Sequence, residues 1–286
     1  MKILILGMGH IGKALAASLR QQGHVVTGTT TTPAKVESLQ HCADNIIVLQ
    51  GNNREAVIDA ASNVDYVIIT VAPNVKNTKT IEERHQLYQQ TLLETCKNVA
   101  ESGTPSLFCS SFSVYGDGSQ VATDITEESP TANHEEPSSK YYQLAEAQVL
   151  RHQQGCVLRF PDMYGAPGDM SFSERVKMAH DFFGGKILFG PEALLYSIHF
   201  EDVVKAILHA LDKQLHGIFN VCDNLNLPGT NAEVFDAICK ELKLSPLEYT
   251  NHIKAPSQRI SADKIYASGF SVEHPDPNTA FRQSQH

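Results

Sequence analysis

Hydrophobic positions change rhythm repeatedly along the first half of the chain. Lys2–Leu6 is a short apolar run that reads as a strand. From Ile11 to Gln22 the apolar residues recur at helical spacing, with Leu15 and Leu19 on one face. Gly23-His24 closes that helix, and His24–Gly28 reads as a second strand. The pattern goes on with a helix at Ala34–His41, a strand at Ile46–Leu49, a helix at Arg54–Ala61 and a continuously apolar strand at Asp65–Val71. A long helix over Ile81–Ser102, stopped by Gly103 and Pro105, leads to a strand at Ser106–Cys109. Apolar runs of this kind suit strands covered on both faces of a parallel sheet. The alternation predicts a doubly wound α/β sheet with right-handed crossovers.

The rhythm then loosens. Asp117–Pro137 is polar and reads as a long loop over a site. A helix over Ser138–Leu150 and a strand at Cys156–Phe160 follow. Residues 161–200 are rich in Gly, Pro and aromatics, and helices are predicted at Glu201–Leu211 and Asn231–Leu242. No internal repeat is visible. The division predicted is residues 1–160 as the sheet domain and residues 161–286 as mainly a small lobe interleaved with it. The tail Glu273–His286 is polar at its end and reads as frayed.

Composition narrows the function classes. A formal charge of -9 over 286 residues disfavours nucleic acid, which needs a basic stripe, and disfavours anionic membrane surfaces. No targeting signal and no run approaching the ~18 apolar residues of a membrane span are read. The cysteines form no C-x-x-C pair and read as reduced thiols in a cytoplasmic protein's core. No histidine pair stands three to five residues apart, so no metal site is expected.

GMGHIG places G-x-G-x-x-G at Gly7, Gly9 and Gly12, after a strand and at the opening of a helix. In that context the pattern is the dinucleotide fingerprint of a Rossmann-type sheet. Gly7 allows the turn, Gly9 lets backbone approach a pyrophosphate, and Gly12 lets helix and strand pack closely. The N–H groups at His10, Ile11 and Gly12 and the helix dipole would then hold the phosphates. The second strand ends in GTTTTPAK, Gly28 to Lys35, with no carboxylate for the ribose hydroxyls of NAD. Thr30 and Thr31 as donors and Lys35 as a cation suit a 2′-phosphate, so the reading is NADP, with NAD as the alternative.

Beyond the glycine loop, the chain resembles the extended short-chain dehydrogenase/reductase superfamily in its epimerase/dehydratase branch. The segments that carry the resemblance are DYVIITVAP (Asp65–Pro73), CSSFSVYG (Cys109–Gly116), VLRFPDMYGAPG (Val157–Gly168), SIHFEDVVKAILHAL (Ser197–Leu211) and GIFNVCD (Gly217–Asp223). The resemblance implies a dinucleotide-binding domain with a substrate lobe, and a homodimer through helices beside the sheet. It also implies a cofactor contact at the small-residue turn with Ala72. Three residues do hydride chemistry in that family: a Ser or Thr on the substrate oxygen, a Tyr as proton donor or acceptor, and a Lys four residues later. Counting back from Val114-Tyr115-Gly116 puts the serine at Ser111.

SSKYYQLAEAQVL (Ser138–Leu150) should carry the other two, in the pattern Y-x-x-x-K-x-x-x-E. With Glu146 as the final glutamate, Ser138 takes the tyrosine slot and Tyr142 the lysine slot. No tyrosine in the chain has Lys four positions on. Lys140 stands largely on the opposite side of the helix from Tyr142. This departure resembles the atypical, YeeZ-like group, which keeps the fold without the standard pair. Tyr142 is then a displaced acid, or else a packing or ribose-contact residue, and without a lysine its pKa stays nearer the ordinary value of about 10. His199 reads as structural or as a proton carrier, and Asp202 as an acid at a helix N-terminus. The function expected is an NADP-dependent oxidoreductase or epimerase/dehydratase-like enzyme on a small carbonyl or sugar-like substrate. The alternative is a non-catalytic dinucleotide-binding sensor or interaction protein.

Overall fold

The computed structural model describes residues 1–133 and 135–282. β1 (Lys2–Leu6) is buried from Ile3 onward, and α1 (His10–Gln21) turns Leu15, Ala16 and Leu19 inward. β2 (Val25–Thr30), the single turn α2 (Val36–Leu39), β3 (Asn45–Val48), α3 (Arg54–Ser62) and β4 (Tyr66–Ile69) continue the alternation. Then come α4 (Ile81–Tyr88), α5 (Glu94–Ser102), β5 (Ser106–Ser111), α6 (Pro137–Val149) and β6 (Cys156–Phe160). The rest of the chain forms β7 (Asp162–Tyr164), α7 (Phe172–Phe183), β8 (Lys186–Phe189), β9 (Ser197–His199), α8 (Phe200–Asp212), β10 (Gly217–Asn220), α9 (Asn231–Leu242), β11 (Glu248–Ile253) and α10 (Asp263–Ala267).

Seven strands form one sheet in the order β10-β6-β5-β4-β1-β2-β3. The β1–β2, β1–β4, β2–β3 and β4–β5 pairs are parallel, as the continuous apolar runs require. Strand order reverses between β1 and β4. The crevice beyond the carboxyl ends of these strands is where such sheets take ligands.

Two compact units share the chain. The first holds Met1–Val114, Asn133–Arg159 and Val203–Phe219; the second holds Tyr115–Ala132, Phe160–Asp202 and Asn220 onward. In the first, Leu4, Leu6, Val67, Leu92, Phe108 and Val149 belong to one apolar core. In the second, Val176, Leu195, Val234, Ile238 and Leu247 form the core, with β8 paired to β11 and β7 to β9.

Several elements differ from the sequence reading. The helix expected at Ala34–His41 is a 3-10 turn (Pro33–Lys35) and one α-turn, because Leu39 alone in these turns is buried enough to anchor it. The long helix is divided by a π-turn at Gln89–Leu93, which keeps Tyr88, Leu92, Cys96 and Val99 buried together. α7 was not anticipated. Its signal is the reciprocal cap between Ser171 and Glu174, and Gly184 in the left-handed region ends it. Glu273–Arg282 is tied down rather than frayed: the Glu273 and His274 N–H groups donate to Asp202 at 2.7 and 2.9 Å, and Ser197 N–H donates to Asp276 at 2.6 Å. Residues 283–286 lie outside the described residues.

One polar network is sealed inside the first unit. Arg159 of β6 donates through Nε and Nη2 to the two carboxylate oxygens of Glu146 on α6, at 2.9 and 2.7 Å. Ser110 of β5 donates to the same carboxylate at 2.5 Å. The two charged side chains are 3% and 5% exposed. The planar guanidinium matches the carboxylate, so α6 is held to two strands in one orientation. Arg159→Met would leave the Glu146 charge buried without its partner, and a stability loss of about 3–5 kcal/mol is expected in urea denaturation. The double replacement Glu146→Leu with Arg159→Met should recover most of that loss.

Candidate dinucleotide and catalytic site

The turn after β1 is shaped by what glycine lacks. Gly7 has φ of +107°, a conformation other residues rarely adopt. Its N–H donates to Thr29 Oγ1 at 3.0 Å, and its carbonyl accepts from Thr70 Oγ1 at 2.8 Å. A Cβ on Gly12 would lie 2.2 Å from the Gly7 carbonyl oxygen, so this turn of α1 touches the loop backbone. A Cβ on Gly9 would meet nothing within 4 Å. Gly9 caps α1 without any side-chain hydrogen bond, and no acidic residue stands in the first turn. The N-terminal N–H groups of α1 are thus left to a ligand. Exposed His10 and half-buried Ile11 open the helix.

These features fit a dinucleotide: a close backbone cradle, open space at the middle glycine and an uncapped helix start. Thr70 and Val71 border Gly7, which brings the exposed Ala72 segment beside the glycine loop. At the end of β2, Thr30 is half-buried and its Oγ1 accepts the Thr32 N–H at 3.2 Å. Thr31 and Lys35 are exposed. Thr29 and Thr70 were not singled out in the sequence. Nothing in a run of threonines marks which hydroxyl turns onto the glycine loop.

Ser111 ends β5, and its Oγ accepts the Ser113 N–H at 3.1 Å. Ser113 Oγ is itself buried and, like Arg84 Nε on α4, has no hydrogen-bond partner among the described residues. An orphaned buried hydroxyl two residues from Ser111 is a second candidate ligand contact. It lies inside the segment CSSFSVYG, where its burial was not readable.

On α6, the Ser138 hydroxyl turns back onto Glu136, which caps the helix by accepting the Ser139 N–H at 3.0 Å. Lys140 pairs with Glu135 at 2.5 Å, so it does not stand in for the missing lysine. Tyr142 stacks on Phe108, with ring centroids 5.9 Å apart, and meets Tyr88 edge-on at 6.4 Å. Burial, then the nearness of Tyr88, Cys109 and Cys96, pushes the Tyr142 phenol well above its ordinary range. The sequence expectation of a value near 10 is therefore corrected upward: the missing cation is compounded by an apolar surround. Among the described residues no hydrogen bond joins Ser111 to Tyr142.

The second unit carries a cavity of about 400 Å³ between α7, β8 and α9. Phe172, Val176, Phe183, Ile187, Phe235 and Leu247 line it, and Arg175 adds a charge over the Phe172 ring at 5.2 Å.

Two alanine substitutions separate cradle from contact. Gly12→Ala forces a methyl onto a backbone oxygen and is expected to lower the unfolding temperature and abolish dinucleotide binding. Gly9→Ala meets open space at an ordinary φ of -75° and should leave the unfolding temperature unchanged while weakening binding. Thermal denaturation alongside a nicotinamide fluorescence titration reads both.

Comparison with known proteins gives the fold and the family. The chain is 26% identical to Protein YeeZ of Escherichia coli K12 over 288 aligned residues, covering 96% of this chain and 97% of that protein. Its fold is similar to that of MoeE5 in complex with UDP-glucose and NAD, with a TM-score of 0.72, 21% identity and coverage of 96% and 94% of the two chains. It is also similar to Bordetella bronchiseptica WbmG in complex with NAD, with a TM-score of 0.73, 18% identity and coverage of 98% and 91%. The family model described as the NAD dependent epimerase/dehydratase family matches residues 3–222, and the chain belongs to that family.

Proposed function

We propose that this protein is an NADP-dependent oxidoreductase or epimerase-like enzyme acting on a small carbonyl or sugar-like substrate. The observation that carries the cofactor choice is the end of β2, where Thr30 and exposed Thr31 and Lys35 stand in place of a carboxylate. A 2′-phosphate meets donors and a cation there instead of a repelling charge. Gly7, Gly9 and Gly12 with the start of α1 would hold the pyrophosphate, and the Ala72 turn would border the nicotinamide half.

The bound reduced nicotinamide would supply the hydride. Ser111 would orient the substrate oxygen by donating to it, and the neutral Tyr142 phenol would give the proton that turns the nascent alkoxide into an alcohol. Burial favours this direction, because a phenol held above its ordinary pKa is a donor at neutral pH and a poor base. The missing Tyr-x-x-x-Lys pair, and the lack of a hydrogen bond between Ser111 and Tyr142, support the rival reading of a non-catalytic dinucleotide sensor.

NADPH is expected to bind at least about tenfold more tightly than NADH, a difference of roughly 1.4 kcal/mol. Thr30→Asp keeps an acceptor for the Thr32 N–H and should reverse that preference. Failure of both nucleotides to bind would remove the enzyme reading. For the chemistry, Tyr142→Phe should lower the reduction rate by about 100-fold or more at unchanged substrate KM. The raised phenol stays protonated through neutral pH, so the wild-type reduction rate should show no tyrosine-dependent fall below about pH 10. Unchanged turnover in Tyr142→Phe would assign the residue to packing.

A further inference from the structure

In the second unit, three potential ligand groups from two segments far apart in the chain converge on one point. His199 closes β9, Glu201 stands in the first turn of α8, and His274 lies in the C-terminal segment. Their ligand atoms all lie within 4.8 Å of one another.

Asp202 sets the orientation of His274. Its carboxylate is 1% exposed, accepts the Glu273 and His274 N–H groups, and lies 3.1 Å from His274 Nδ1. With Asp202 at Nδ1, the Nε2 of His274 is the ring nitrogen turned toward Glu201. Nε2 stands 3.5 Å from Glu201 Oε2. His199 Nδ1 lies 3.4 Å from the Glu201 backbone nitrogen and 3.7 Å from the same carboxylate oxygen, and the long N–H contact is given up when the nitrogen turns to a metal. Gly165 admits this placement of His199: with φ of +82° it has no Cβ, and one built there would sit 2.3 Å from His199 Nε2. Three groups able to ligate a metal therefore meet at one point.

We propose that His199 Nδ1, Glu201 Oε2 and His274 Nε2 form a site for a zinc-class divalent metal ion, with Asp202 as the outer carboxylate that orients His274. Ligand atoms around a tetrahedral zinc at ordinary bond lengths stand about 3.3 Å apart, close to the 3.5 and 3.7 Å separations here. Two imidazoles and one carboxylate select zinc or a similar ion over magnesium or calcium. The carboxylate–histidine–metal relay formed by Asp202 and His274 is a recurrent way of fixing tautomer and ring angle. The rings stack at 4.0 Å with a 30° tilt, so metal entry requires them to fan apart about χ2, a broad torsion. Glu201, 60% exposed, leaves the fourth position open to water. Such an ion ties the C-terminal segment to β9 and the start of α8, and it stabilises the folded chain because the unfolded chain has no such cluster.

The rival occupant is a second proton on His274, which would bridge Asp202 and Glu201 with no metal. The test uses the full chain stripped with a chelator and then titrated with Zn²⁺ by calorimetry and with Co²⁺ by visible absorption. One ion per chain is expected, with tetrahedral Co²⁺ absorption and a metal-dependent rise in unfolding temperature. His274→Asn keeps a donor for Asp202 but removes the ligand, and Glu201→Gln alters an exposed side chain. Each should weaken binding at least about tenfold and remove the thermal rise. His252→Ala, at an exposed histidine outside the cluster, should change nothing. Absence of zinc binding by the wild type, or binding that survives in both ligand variants, overturns the proposal.

Discussion

The Glu146–Arg159 pair is the interaction on which the arrangement of the first unit rests. A charge on α6 faces one on β6 in the interior, and a serine on β5 completes the carboxylate's hydrogen bonding. Each partner would be costly to bury alone, and the fork geometry is satisfied in a single register. That register determines which residues of α6 lie over the end of β5. The placement of Ser138 and Tyr142 relative to the sheet therefore follows from a salt bridge with no part in hydride chemistry. Glu146, the glutamate that fits the end of the family's helix pattern, is engaged here in a structural ion pair.

That separation explains how the fold persists with an altered catalytic motif. Ser138 has become part of the cap of α6, its hydroxyl spent on Glu136. Tyr142 has become a ring in the core beside Phe108 and Tyr88, and its environment favours the neutral phenol. The glycine loop is untouched by these changes. It depends on Gly7, Gly9 and Gly12 and on two threonine hydroxyls, Thr29 of β2 and Thr70 after β4, which flank it on both sides. The glycine loop and the α6 side chains are thus held by different contacts.

The second unit is organised differently. Its C-terminal segment is fastened by carboxylates that accept backbone N–H groups: Asp202 from Glu273 and His274, and Asp276 from Ser197 and Asn278. Asp202 was readable only as an acid at a helix start, which stabilises the dipole of α8. In the folded unit the same carboxylate anchors a distant segment and orients a histidine. One residue meets both demands because its buried carboxylate sits in the first turn of α8, where the C-terminal segment packs against it.

The alternating strands and helices of the first half, the glycine cradle and the absence of the Tyr-x-x-x-Lys pair were all legible in the amino-acid order. Each depends on neighbours a few residues apart, where periodicity, turn chemistry and spacing act. The cap that opens α7 was legible too, in Ser171 and Glu174, although the aromatic and glycine content around it concealed the helix. Tertiary structure alone decided which threonines close on Gly7, that Ser113 is left buried without a partner, and that Arg159 meets Glu146. It alone brought His274 to His199 and Glu201 and raised the proton affinity of Tyr142. Those outcomes depend on burial and on groups meeting across long loops, and neither the dielectric around a side chain nor its distant partners are written in local pattern.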